Sequence, residues 1–151
     1  MGYSTPSMYL TAALALRAAA PAFATPAVIA QSTAGATNLA LDGRGSASTH
    51  IVKVADVSLT TDATNGLTLS ITSGSLVRPG GTPVTFQVAL VDDNAAPPTA
   101  SAFTAASGVP YVFATSTVTA IAKDLYIKYT PAALQDPGGY AASIDIDVGD
   151  N

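Results

Sequence analysis

The C-terminal stretch from Leu134 to Asn151 limits the possible folds more than any other part of this sequence. It begins with a turn at residues 137–139, Pro-Gly-Gly, where proline fixes one φ angle and the glycines free the next two. From residue 142 onward apolar and polar side chains alternate, with Ala142, Ile144, Ile146 and Val148 on one face and Ser143, Asp145 and Asp147 on the other. A period of two predicts a half-buried β-strand after the turn.

The turn before this strand resembles the tyrosine corner of immunoglobulin-like sandwiches. Its residues are Asp136, Gly138 and Tyr140. In that motif a tyrosine near the start of strand F hydrogen-bonds to the backbone a few residues upstream, and a strand G should follow. The sequence ends at Asn151, so we expect strand G to be missing. The side chains of Ile144, Ile146 and Val148 would then line an acceptor groove for a strand from elsewhere.

The middle of the sequence predicts an all-β fold. Alternating segments are separated by turn signals such as Asn65-Gly66, a strong hairpin sequence. The predicted strands cover residues 51–59, 67–72, 84–90, 111–121 and 125–129. We therefore predict an immunoglobulin-like β-sandwich over residues 51–151 that lacks its last strand.

The N-terminal segment is typical of a signal peptide over residues 1–30. An Ala/Leu-rich run is followed by two small-x-small sequences, which end at Ala24 and at Ala30. Cleavage after Ala30 is the preferred prediction, and cleavage after Ala24 is the alternative. The mature chain contains no further apolar run long enough to span a membrane, so we expect a secreted or cell-surface protein.

Residues 31–50 form a small, polar, Gly-rich segment that predicts a flexible N-terminal arm. Within it Leu39 and Leu41 alternate with polar or small residues, so both can point to one side. The segment is either an ordinary first strand or tail of its own domain, or a donor strand that enters another subunit.

Composition argues against several classes of function. The chain has no Cys and one His, His50, so a nucleophilic triad has little support and we expect neither an enzyme nor a cofactor. A net charge of −4 with six Lys and Arg residues argues against nucleic-acid binding. Asp145 and Asp147 share one strand face, and residues 92–94 form a second acidic turn. A solvated strand face is the preferred interpretation, while calcium binding stays open.

Taken together, the polar arm, the incomplete sandwich and the last strand Gly138-x-Tyr140-x-x-x-Ile144-x-Ile146-x-Val148 resemble bacterial fimbrial-type pilins. The similarity extends to the chaperone–usher and spore-coat-like families. It implies a structural subunit of an extracellular filament, in which identical subunits join head to tail by donor-strand insertion. It also implies a periplasmic chaperone and an outer-membrane usher as partners. Leu39 and Leu41 would belong to the donor strand.

A second interpretation is a monomeric surface-binding module, for carbohydrate or for adhesion. In that case residues 37–42 would pair within their own domain.

Overall fold

The computed structural model describes residues 7–8, 12–16, 26–37, 39–40 and 47–151. The fold is all-β, as the sequence predicts. Its strands are β1 (Ser7–Met8), β2 (Ala12–Leu16), β3 (Ala27–Ser32), β4 (Leu39–Ala40), β5 (His50–Thr61), β6 (Leu67–Thr72), β7 (Ser75–Leu76), β8 (Val84–Asp92), β9 (Tyr111–Ala114), β10 (Thr119–Tyr129) and β11 (Ala142–Asp150). Two single-turn 3-10 helices lie at Ala34–Ala36 and Ala100–Ala102.

The strands form a β-sandwich of two main sheets. One sheet has five strands in the order β3-β5-β10-β8-β7, and the other has four in the order β2-β11-β6-β9. In the five-stranded sheet, β3, β5, β10 and β8 lie in the order of strands A, B, E and D of immunoglobulin folds. In the four-stranded sheet, β6 and β11 correspond to strands C and F. The position of strand G, beside β11, is taken by β2 from the N-terminal region. Strands β1 and β4 form a separate two-stranded ribbon.

The core lies between the inner faces of the two sheets. Alternate residues of β6 point inward, so Leu67, Leu69 and Ile71 are fully buried. Phe86 and Val88 of β8 belong to the same apolar cluster. Burial of each such side chain contributes about 1.5–3 kcal/mol to the free energy of folding, so this layer is the main source of stability.

A smaller apolar cluster covers the outer face of the five-stranded sheet. Phe103, in the long loop after β8, is buried against Ala89 and Tyr126. The side-chain amide of Gln87 fastens this loop by donating to the backbone carbonyls of Phe103 (3.2 Å) and Ala105 (2.7 Å). The five-stranded sheet is therefore buried on part of both faces. Tyr126, which belongs to this outer cluster, directly follows the point where the register of β10 against β5 shifts.

Two boundaries differ from the sequence prediction. Residues 111–121, predicted as one strand, are divided by a bend at Ser116–Thr117, and β10 runs without a break from Thr119 through residue 124 to Tyr129. The sheet also begins before residue 51, because β3 pairs with β5 over its whole length and buries Val28.

Candidate strand-binding site

The edge of β11 that faces away from β6 is the candidate functional site. Along one edge β11 pairs antiparallel with β6 from Asp145 to Asp150. Along the opposite edge it pairs in parallel with β2, from the pair Ala142–Ala12 to the pair Ile146–Leu16. This is the one parallel pairing among the described strands.

The predicted acceptor side chains lie on the core-facing side of β11. Ile144 and Ile146 are 1% and 2% exposed, and Val148 is half-buried. Asp145 and Asp147 alternate with them and are exposed to solvent. A strand bound at this edge would therefore extend the apolar layer on one face and meet charge on the other.

The far end of β11 is fixed by its own residues. The Asn151 side-chain amide donates to the carbonyls of Thr115 (2.8 Å) and Asn65 (3.2 Å), and its backbone N–H donates to Gly66 (3.1 Å). The Thr61 hydroxyl donates to the Asp150 carboxylate at 2.6 Å. These bonds hold the end of β11 against the turn between β5 and β6.

The near end of β11 is held by the turn that contains Tyr140. The buried Tyr140 hydroxyl donates to the backbone carbonyl of Asp136 at 3.0 Å, which is the contact that a tyrosine corner makes. It also accepts a 2.6 Å hydrogen bond from the side-chain amide of Gln135. The same amide donates to the carbonyl of Thr82 at 2.7 Å, so this corner is joined to the turn before β8.

Gly138 suits its position because its φ of 134° lies in a region that L-residues rarely adopt. A Cβ atom there would lie 2.9 Å from Arg78 Nη1, the end of a flexible side chain that can shift. The Arg78 guanidinium donates to the carbonyl of Pro137. The Asp136 carboxylate accepts a 3.2 Å hydrogen bond from the backbone N–H of Thr82. Asp136, Gly138 and Tyr140 thus lie in one connected corner.

Of the two predicted donor residues, Leu39 and Leu41, the structure describes Leu39. Leu39 is 1% exposed and belongs to the core of its own domain. The neighbouring Ala40 carbonyl accepts a 3.1 Å hydrogen bond from the Tyr129 hydroxyl, and the Tyr129 ring stacks on His50. Leu41 lies outside the described residues. The sequence predicts a flexible arm over residues 31–50, yet Ala36 and Leu39 both bury their side chains in the core.

A charge cluster that the sequence analysis missed lies in the five-stranded sheet. The Lys53 ammonium is 2.7 Å from a carboxylate oxygen of Asp124 and 2.7 Å from one of Asp56. The hydrogen bond to Asp124, and then that to Asp56, raise the pKa of Lys53 above its ordinary value. Asp124 is 1% exposed, and its second oxygen accepts from the backbone N–H of Asn94 at 3.2 Å. The signal in the sequence was Lys53, with Asp56 three residues later in the same predicted strand. Nothing in the sequence pointed to Asp124, which lies in β10.

The same cluster is the arrangement in the described residues that most resembles a metal site. Asp56, Asp93 and Asp124 each offer an oxygen within 4.8 Å of the others. The Lys53 ammonium already contacts two of these carboxylates, so it supplies the positive charge that a cation would bring. The arrangement is accounted for as an ion-pair network. Asp145 and Asp147 of β11 do not belong to it.

Comparison with known proteins gives no assignment: no model of a known protein family matches the sequence, and no curated protein is significantly similar to it. None of the helices in the described ranges is long and apolar enough to cross a membrane.

Proposed function

We propose that this protein is the structural subunit of an extracellular filament, whose copies join when an N-terminal strand of one inserts beside β11 of the next. One observation carries the proposal. The strand that occupies the G position beside β11 comes from residues 12–16, within the segment whose sequence is typical of a signal peptide. Removal of that segment would leave the edge of β11 available to another strand.

The energetics favour refilling the edge. A donor beside Ile144, Ile146 and Val148 is stabilised by about 1.5–3 kcal/mol for each apolar side chain that was exposed before insertion. Leu39 is already buried in its own domain, so the net gain comes from covering the edge of β11 that loss of β2 would leave open. Since donor and acceptor lie at different places on the subunit, the contact is head-to-tail and propagates.

The fold supports cleavage after Ala24 rather than after Ala30. Cleavage after Ala30 would remove Ala27–Ala30, most of β3, together with the buried side chain of Val28. Cleavage after Ala24 would keep β3 whole and paired with β5. The mature chain in this proposal therefore begins at Thr25, and the intact mass of secreted protein measures this directly.

The proposed donor is the segment around Leu39 and Leu41. To act as a donor it must leave its own domain, where Leu39 is buried. The exchange replaces one buried environment with another in the neighbouring subunit, which is the thermodynamic basis of strand swapping. A chaperone and an usher, which the pilin resemblance implies, would catalyse this exchange in the cell.

Engineered thiols test the proposal in a chain that has no native Cys. Ala40 and Asp145 are both exposed, one beside Leu39 and the other on β11. In the secreted mature protein, Ala40→Cys with Asp145→Cys should give an intermolecular ladder on oxidation, and electron microscopy should show filaments. The matched control pairs Ala40→Cys with Thr85→Cys, an exposed position on β8 in the other sheet. A ladder of equal strength in the control, or monomers in both, would reject donor insertion beside β11.

A second candidate function is supported by the burial of Leu39. A domain that keeps Leu39 in its own core and the Tyr129–Ala40 hydrogen bond intact is a self-complete, monomeric surface-binding module. It predicts that the mature protein elutes as a monomer at all concentrations. Size-exclusion chromatography with light scattering separates the two functions.

A further inference from the structure

The N-terminal half of β11 depends on β2 for its strand pairing. Strand β6 pairs only with Asp145 and the residues that follow it. Ala142, Ser143 and Ile144 pair with Ala12, Ala13 and Leu14 of β2, and with no other strand in the described part of the chain. One isolated bridge, between Val77 and Ala141, lies just before this half.

We propose that residues 12–16 bind the edge of β11 as a covering strand, which keeps copies of the unprocessed chain apart until the leader is removed. The proposal deepens the proposed function, on which it rests for the identity of the strand that later replaces β2. The partner recognised by this edge is a parallel strand, and its first occupant is a segment of the same chain.

Backbone chemistry explains why an occupant is needed. Each β-strand residue presents an N–H and a C=O group, and an uncovered edge exposes such groups to any other strand. Ile144 is 1% exposed although β6 does not pair with it. Loss of β2 would therefore free the backbone of residues 142–144 next to a side chain that lies in the core. An uncovered edge of this kind associates with a strand from a second copy.

The covering strand can be tested first in the full chain with an unprocessed leader. Ala13 and Ser143 are paired in register, and paired strands lie about 4.8 Å apart, close enough for a disulfide after small adjustment. Ala13→Cys with Ser143→Cys should close within one chain on oxidation. Ala13→Cys with Asp147→Cys is the matched control, since Asp147 lies beyond the paired range, and it should stay reduced. Equal closure of both pairs would overturn the proposed register.

The second test cuts the folded full chain at a protease site inserted after residue 20 and separates the released fragment from the rest of the chain before exchange is measured. Hydrogen exchange over Ala142–Ile146 should become at least about tenfold faster after the cut, while exchange over β10 stays unchanged. A synthetic peptide spanning residues 9–19 should restore the protection. Unchanged exchange after the cut would overturn the covering role, and this readout needs no Cys variant to fold.

The outcomes separate this proposal from the filament proposal. If the cut chain loses protection, recovers it with the peptide and stays monomeric without it, the binding of residues 12–16 to the edge of β11 stands, while filament assembly and the role of β2 in keeping copies apart both fail. If the cut chain forms filaments that the peptide suppresses, both stand. If filaments form equally well with the leader uncut, the covering role is rejected and the filament proposal survives.

Discussion

The two sheets of the sandwich share one core but are completed in different ways. In the five-stranded sheet, β10 lies between β5 and β8, and all three strands come from residues 50–129. In the four-stranded sheet, β11 pairs with β6 from Asp145 onward. Among the described strands, its residues 142–144 pair only with β2, which is distant in sequence. The centre of the first sheet therefore comes from one continuous region, and an N-terminal segment, β3, joins it only at its edge. Completion of the second depends on an N-terminal segment, so an exchangeable contact is expected there.

The two sheets also treat charge differently. The five-stranded sheet buries Asp124 and pairs it with Lys53. The four-stranded sheet keeps Asp145 and Asp147 of β11 exposed on its outer face. Electrostatic substitutions should therefore affect the first sheet far more than the second, while substitutions at the Tyr140 corner test how firmly β11 is held.

The largest effect is expected from truncation of a buried aromatic, either in the turn that leads into β11 or in β8. Tyr140→Ala should lower the free energy of unfolding by about 3–5 kcal/mol, since it removes a ring that is 2% exposed. Phe86→Ala in β8 of the five-stranded sheet is the matched substitution, at 1% exposure, and should cost a similar amount. Urea denaturation of both variants measures the comparison. A much smaller cost for Tyr140→Ala would mean that the β11 side of the sandwich is loosely packed.

The next effect concerns the buried charge of the five-stranded sheet. Lys53→Met should lower the free energy of unfolding by about 3 kcal/mol, because it leaves the Asp124 carboxylate buried beside an uncharged side chain. Adding Asp124→Leu should recover most of this loss, since the unpaired charge is then removed as well. The double-mutant cycle is measured by chemical denaturation at neutral pH. Additive losses would show that the two groups do not interact.

The pH dependence of this pair follows from the raised pKa of Lys53. The ammonium is stabilised in the folded state by Asp124 and Asp56, so its folded pKa exceeds the unfolded value of about 10.4. Its contribution should be complete below about pH 10.4 and should be lost as the pH rises through the folded pKa. The stability difference between wild type and Lys53→Met should therefore be constant from neutral pH to about pH 10 and shrink in stronger alkali. A difference that grows with pH would contradict this assignment.

A smaller effect is expected when only the corner hydrogen bond is removed. Tyr140→Phe keeps the ring but removes the hydroxyl that donates to Asp136 and accepts from Gln135. The loss should be about 0.5–1.5 kcal/mol, seen as a lower thermal midpoint. An unchanged midpoint would show that the corner contributes through packing alone.

Much of the fold is visible in the sequence because its signals are local. Alternation in residues 67–72 and 142–148 and the Asn65-Gly66 turn predict strands that the structure contains. The corner residues Asp136, Gly138 and Tyr140 are also close in sequence, and their contacts need only a turn. These features depend on neighbours a few residues apart, which periodicity and turn chemistry report directly.

Pairings between distant segments were not visible in the same way. Strand β2 joins β11 across more than a hundred residues, and no alternation in the Ala/Leu-rich run distinguishes a strand from a leader. The burial of Leu39 and the Lys53–Asp124 pair likewise depend on which strands become neighbours. A charged residue in a strand has a partner only after the register is set, and composition does not set it.

The smallest effect is expected on the outer face of β11. Asp145→Asn with Asp147→Asn should change the free energy of unfolding by less than about 0.5 kcal/mol, because both side chains are exposed on one strand face. Millimolar calcium should not change the thermal midpoint of either the wild type or the variant. The Asp56, Asp93 and Asp124 cluster already holds the Lys53 ammonium, so it should not bind the ion. Differential scanning calorimetry with calcium and with a chelator measures both expectations. A calcium-dependent rise that the double variant abolishes would instead make β11 a metal-binding strand, and the contrast in charge between the two sheets would fail.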